Sequence, residues 1–171
     1  ANCMRKRTIA LIAILTALLA ACTEKTDYNT LLVRADSLMN LHPDSALHML
    51  QGISTKNLST KADRAYHALL LTQARDKNYI RQTDDSLIQV AVRYYDTHED
   101  ALLQARAYYY WGCVYRDMKK AEEAVTSFLT ANILAKKTKN IRLQSLICNN
   151  IGDLYYAQDL NEQADAIYRE A

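Results

Sequence analysis

Few side chains in this sequence are placed to do chemistry. Four histidines stand at 42, 48, 67 and 98, none with a second histidine at i+4 and none in a His-Glu-x-x-His pattern, so no helical metal site is preformed. Three glycines cannot build a phosphate-cradling loop, and neither a serine-centred elbow nor a cysteine–histidine pair can be assigned. His42 and His48 fall in a capping region and on an exposed helix, and read as solvated surface. Cys3, Cys22, Cys113 and Cys148 are scattered, with no Cys-x-x-Cys spacing and no disulfide framework. Cys113 and Cys148 read as small packing residues rather than nucleophiles. These patterns predict no enzyme, no metal and no cofactor. The net charge of +2 is interspersed, which argues against a nucleic-acid surface. Lys136, Lys137 and Lys139 suit the negative end of a helix dipole better than a basic binding patch.

Cys22 is the exception. Arg5, Lys6 and Arg7 precede an apolar run from Ile9 to Leu19, and Leu19-Ala20-Ala21 lead into the cysteine. The order of basic start, short apolar stretch and small residues marks a removable leader, and the run is short for a membrane span, which needs roughly 20 apolar residues. The end of the leader resembles the bacterial lipobox. That resemblance implies cleavage after residue 21 and a diacylglycerol thioether on Cys22, whose acyl chains anchor the protein to a membrane. An ordinary secretory leader with an incidental cysteine is the other reading. Thr23 in place of aspartate points weakly to the outer membrane. Ala1-Asn2-Cys3 before Met4 are an upstream extension or a cloning remnant.

The remainder must be helical. One proline and three glycines among many helix formers predict an all-α domain over 27–171, with residues 22–26 as a tether. Leu31, Leu32, Ala35, Leu38 and Met39 form one helical face. The turn at His42-Pro43 stops that helix, Asp44 or Ser45 caps a short one over Ala46–Leu50, and Gly52 ends it. Residues 53–60 read as a polar connection. Helices follow at about 61–77, with Ala62, Ala65, Tyr66, Leu69 and Leu70 buried, and at about 85–97. Two better-marked pairs complete the chain, at about 104–138 and 144–171, the last with helices over 141–157 and 162–171.

These two pairs carry an internal repeat. Tyr108, Trp111, Gly112, Tyr115, Ala124, Phe128 and Ala131 are matched 40 residues later by Cys148, Ile151, Gly152, Tyr155, Ala164, Tyr168 and Ala171. Large and small residues alternate as closely packed antiparallel helices require. The pattern resembles the tetratricopeptide repeat (TPR) family, in which an aromatic, Leu-Gly, Tyr, Ala, Phe and Ala recur at these offsets, though the usual period is about 34. Trp111 and Ile151 replace the leucine, and Cys148 the large aromatic. The resemblance implies a right-handed α-α superhelix of three or four antiparallel helix pairs, with degenerate repeats at about 27–53 and 61–97. A polar capping helix is missing after the last pair, which predicts more repeats or another module beyond Ala171.

In TPR arrays the first helices of successive pairs line a concave groove that binds peptides. The resemblance implies that Arg106, Tyr109, Cys113 and Arg116 lie on that face, followed by Leu146, Asn149, Asn150, Asp153 and Tyr156. An amide such as Asn150 suits a ligand's peptide bond, and suits equally a bond to the neighbouring helix. One residue of each tyrosine group (94–95, 108–110, 155–156) is expected in the core. The Tyr-rich repeats also resemble TPR lipoproteins of Bacteroidetes-type bacteria. The expected function is a lipid-anchored envelope protein, periplasmic or surface-exposed, whose array binds a protein or peptide partner. No small-molecule substrate is evident. The alternative is the extracytoplasmic sensory half of a transmembrane signalling or transcription regulator. A carbohydrate-binding lipoprotein is a third reading, disfavoured by the lack of loop-rich insertions.

Overall fold

The computed structural model describes residues 28–169. The leader, Cys22, the tether and the last two residues lie outside them. Eight α-helices and no strand are found among the described residues. They are α1 (Tyr28–Leu38), α2 (Pro43–Gln51), α3 (Lys61–Lys77), α4 (Ser86–Tyr95), α5 (Ala101–Asp117), α6 (Ala121–Thr138), α7 (Ile141–Tyr156) and α8 (Asn161–Tyr168). Each helix packs on the next, and the short connections make neighbours antiparallel. In addition α1 touches α3, and α3 touches α5. No described helix is long and apolar enough to cross a membrane.

The helix ends keep the 40-residue period more faithfully than the cores do. Thr60, Asp100 and Asn140 each accept a hydrogen bond from the backbone N–H three residues on, at 2.9, 2.9 and 3.0 Å. They cap α3, α5 and α7, satisfying donors that a helix start leaves open. The same three helices end alike. Tyr79, Lys119 and Asp159 take left-handed φ values of 58°, 62° and 60°. After each, the next N–H reaches back five residues, from Ile80 to Arg75 O, Lys120 to Tyr115 O and Leu160 to Tyr155 O. This is the closure usually made with glycine. The 61–95 pair therefore shares the caps and turns of the two later pairs.

Close approach within the later pairs rests on missing side chains. A Cβ at Gly112 would fall 2.6 Å from the Phe128 ring, and one at Gly152 2.6 Å from Tyr168 Cζ. Forty residues before Gly112 and Phe128 stand Thr72 and Ile88, both buried. A larger residue at the glycine position thus accompanies a smaller one at the ring position. Trp111 Nε1 and Tyr115 OH both donate to Asp85 Oδ2, at 3.0 and 3.1 Å. The aromatics of one pair therefore grip the start of the previous pair's second helix.

Several expectations need correction. α2 starts at Pro43, not Ala46, and His42 holds the capping position without a side-chain bond. Proline needs no amide partner in a first turn. The stretch 53–60 is not merely polar: Ile53 and Leu58 are buried on α3 beside Leu70 and Leu71, around a 3-10 turn at Thr55–Asn57. Ala62 is exposed, while α3 is buried on all sides from His67 to Ala74. It separates one apolar cluster containing Leu69 from another containing Leu70. The buried polar groups there are paired, His67 Nε2 with Leu50 O at 2.9 Å and Thr72 Oγ1 with Ala68 O at 2.8 Å. α4 is shorter than expected, and α8 begins at Asn161.

Gly112→Ala is expected to cost about 1–3 kcal/mol by overpacking. Combined with Phe128→Leu, it should cost less than the two changes summed. Urea denaturation of the four proteins measures this, and strict additivity would show that the two positions do not touch.

Candidate functional site

A concavity shared by four helices runs across α1, α3, α5 and α7. It encloses about 460 Å³, within the usual range for ligand sites. Its walls follow a four-residue stride on α5, Leu102, Arg106 and Tyr110, which is one side of a helix. Val33, Asp36 and Ser37 come from α1 and Asn40 from the turn after it, Tyr66, Gln73 and Lys77 from α3, and Arg142, Leu143 and Leu146 from α7, with its cap Asn140. Val33, Leu102 and Leu146 are exposed there, offering apolar surface between polar groups. Arg142 Nη2 stands 3.5 Å from Asn40 Oδ1, so α7 reaches back to the end of α1.

The floor is a polar network held by Arg106. Its two terminal nitrogens donate to the Asp36 carboxylate at 2.9 and 2.7 Å, and Nη2 also donates to Gln73 Oε1 at 2.7 Å. Tyr66 OH donates to Asp36 Oδ2 at 2.7 Å. The Arg106 side chain keeps only 15 % exposure. Burial alone would raise the Asp36 carboxyl, but the bonds and charge of Arg106 more than offset it and hold the group below the usual carboxylate range. Burial and then the Asp36 carboxylate push the Tyr66 phenol up. Because Arg106 and Asp36 neutralise each other, Lys77 and Arg142 leave the groove with positive charge.

A second arginine of α5 forms a separate junction. Arg116 Nη2 donates to Asp76 Oδ1 at 2.8 Å, and Nη1 to Asn150 Oδ1 at 2.6 Å. Asn150 Nδ2 donates to Tyr109 OH at 3.2 Å and to Leu146 O at 2.9 Å. Burial raises the Asp76 carboxyl more than Arg116 lowers it. Asp117 accepts from Gln82 N and, through its backbone carbonyl, from Arg81 Nε, each at 3.0 Å, tying the α3–α4 turn to the end of α5.

Of the residues expected on the concave face, Arg106 and Leu146 line the groove. Tyr109 does not: it is 5 % exposed, packed edge-on to Tyr110 and against Phe128. Cys113 is fully buried. Arg116 and Asn150 spend their polar groups on the helix-to-helix junction. Asp153 Oδ1 accepts from Tyr168 OH at 2.6 Å, within the last pair. Asn149 and Tyr156 are exposed but outside the groove. Of the tyrosine groups, Tyr95 is buried and Tyr94 half-buried, Tyr109 and Tyr110 are both buried, and Tyr156 is 67 % exposed. Cys22 lies outside the described residues. The groove residues that sequence reasoning missed sit mainly on α1, in the turn after it and on α3, with others in the first turns of α5 and α7. Asp36 could be found only by knowing that a residue 70 positions away supplies its partner.

Among the described residues no cluster of three or more His, Cys, Asp or Glu could hold a metal ion. Comparison with family models, curated proteins and solved structures returns no match.

Asp36→Asn is expected to cost on the order of 2 kcal/mol at pH 7, because it strands a largely buried guanidinium that retains some solvent. The native Asp36 carboxyl lies below its unfolded value, so the unfolded chain takes up the proton first as pH falls. Its stabilisation is present above the ordinary aspartate value of about 3.9 and fades below it. Thermal melts of both proteins from pH 7 to 3 check this, and a pH-independent difference would rule out the ionised pair as its source.

Proposed function

We propose that this chain is a TPR-like repeat protein that holds an extended segment of a protein partner in the groove of α1, α3, α5 and α7, and that Cys22 anchors it by lipid to a bacterial envelope membrane. The observation that carries the reading is the groove itself, to which all four of these helices contribute. Its chemistry fits a peptide. Asn40 and Asn140 bring amides whose oxygens accept from Arg142 and from the Leu143 N–H, and whose NH2 groups suit a peptide carbonyl. Val33, Leu102 and Leu146 supply apolar seats for side chains. The Arg106–Asp36–Gln73 network fixes the floor, which lowers the ordering cost of binding. The glycine–ring contacts and the 40-residue recurrence of caps and turns support the repeat reading. The anchor rests on the Leu19-Ala20-Ala21-Cys22 pattern alone.

Linear peptides selected from a display library on the wild-type chain test the groove. Leu102→Glu and Leu146→Glu are each expected to weaken the selected peptides at least tenfold, about 1.4 kcal/mol, with the melting temperature unchanged. Tyr156→Ala should bind as wild type. Peptides indifferent to both glutamates would place binding elsewhere. Cys22→Ser is expected to abolish incorporation of radiolabelled fatty acid and to release the protein from membranes. Retention with label would remove the anchor assignment.

A further inference from the structure

We propose that a second cleft, between the outer face of α4 and the start of α3, binds a phosphate or sulfate ester carried on an apolar body. The cleft has a volume of about 560 Å³. It shares no lining residue with the groove, so the proposal stands apart from the peptide reading.

The lining itself is cationic. Lys61, Arg64 and Arg93 border the cleft and no carboxylate does, although Asp84 and Asp85 stand just before Ser86 in the chain, accepting from Ser86 and Gln89. The whole chain carries 21 Lys and Arg against 19 Asp and Glu, so three cations around one concavity are a local excess. An anion entering it meets a positive potential focused by the walls.

Two of the cations are oriented without being neutralised. Arg93 Nη2 donates to Gln89 Oε1 at 2.6 Å, and Gln89 Nε2 donates to Asp85 Oδ2 at 2.7 Å. Arg64 Nη1 donates to Leu58 O at 2.6 Å. An amide and a backbone carbonyl thus hold the two guanidinium planes in place. Neither arginine forms an ion pair among the described residues. Planar forks with open N–H groups match the geometry of a tetrahedral oxyanion.

Beside Ser86, Gln89 and Thr97 the wall carries a flat patch of Val90 and two rings. Val90 is 44 % exposed, and the Tyr94 and His98 rings stack at 3.8 Å with planes 15° apart. A bare inorganic ion would leave this surface wet, whereas an ester would cover it. Tyr94 and His98 also border a different cleft that contains Asp63, Glu99 and Asp100. Those carboxylates repel an anion, which leaves the cationic cleft as its seat.

The probe is phenyl phosphate, with benzyl alcohol as the uncharged control, titrated into the full-length chain by calorimetry and amide chemical shifts. Phenyl phosphate is expected to bind saturably and benzyl alcohol not. Lys61→Gln and Arg93→Gln should each weaken it about tenfold, the loss of one charge-assisted bond, with melting temperature and selected-peptide affinity unchanged. Phosphatidylcholine vesicles containing phosphatidylglycerol then separate the sources of the ester. Vesicle binding displaced by phenyl phosphate assigns a phospholipid headgroup. Binding of the soluble ester alone assigns a free metabolite-sized ligand. Absence of saturable phenyl phosphate binding, or wild-type affinity in both variants, would overturn the proposal.

Discussion

Two helices lie closest where one of them gives up a side chain. Gly112 beneath Phe128 and Gly152 beneath Tyr168 are those places. Everything further out follows from the spacing they set. With the second helix drawn in, the first helix turns its opposite side toward its counterparts in neighbouring pairs, and α5 can reach α3. The earlier pair has Thr72 and the smaller Ile88 at the matching positions, both buried.

Between pairs the restraint is electrostatic. α5 carries two arginines that work in different directions. Arg106 joins α5 to α1 and α3, and Arg116 joins it to α3 and α7. Apolar contacts between helices tolerate sliding, because they have no direction. A bidentate guanidinium–carboxylate pair does not, so the Arg106–Asp36 contact sets the register of elements 70 residues apart in sequence. The groove floor and the joint between helices are therefore the same group of atoms.

The all-α character and most helix spans were legible in the sequence, since helix faces and breakers are local signals. The span of α3 and the positions of Gly112, Phe128 and Gly152 follow from periodicity and the 40-residue match. The short α2 was misread because Pro43 stops one helix and starts another. The groove was much less legible. Arg106 was placed by its repeat position, yet Tyr109, Arg116 and Asn150 share that side of the repeat and are consumed by core and junction contacts. Which residue meets ligand and which meets the next helix depends on how tightly successive pairs stack. Asp36, Gln73 and Lys77 carry no repeat landmark and become visible only when distant helices are brought together.

The two described cysteines bear on how the folded chain meets oxidants. Cys113 and Cys148 are buried and in no disulfide, and burial pushes the Cys113 thiol well above its ordinary value. Disulfide exchange proceeds through the thiolate and needs access to it. In the native state Cys113 is thus kinetically silent, even in an oxidising compartment. Opening the α5–α6 pair would expose it and restore its nucleophilicity in one event. A reversible loss of structure could then become a covalent cross-link, so that what preserves the thiol is the rate of helix-pair opening rather than the redox poise around it.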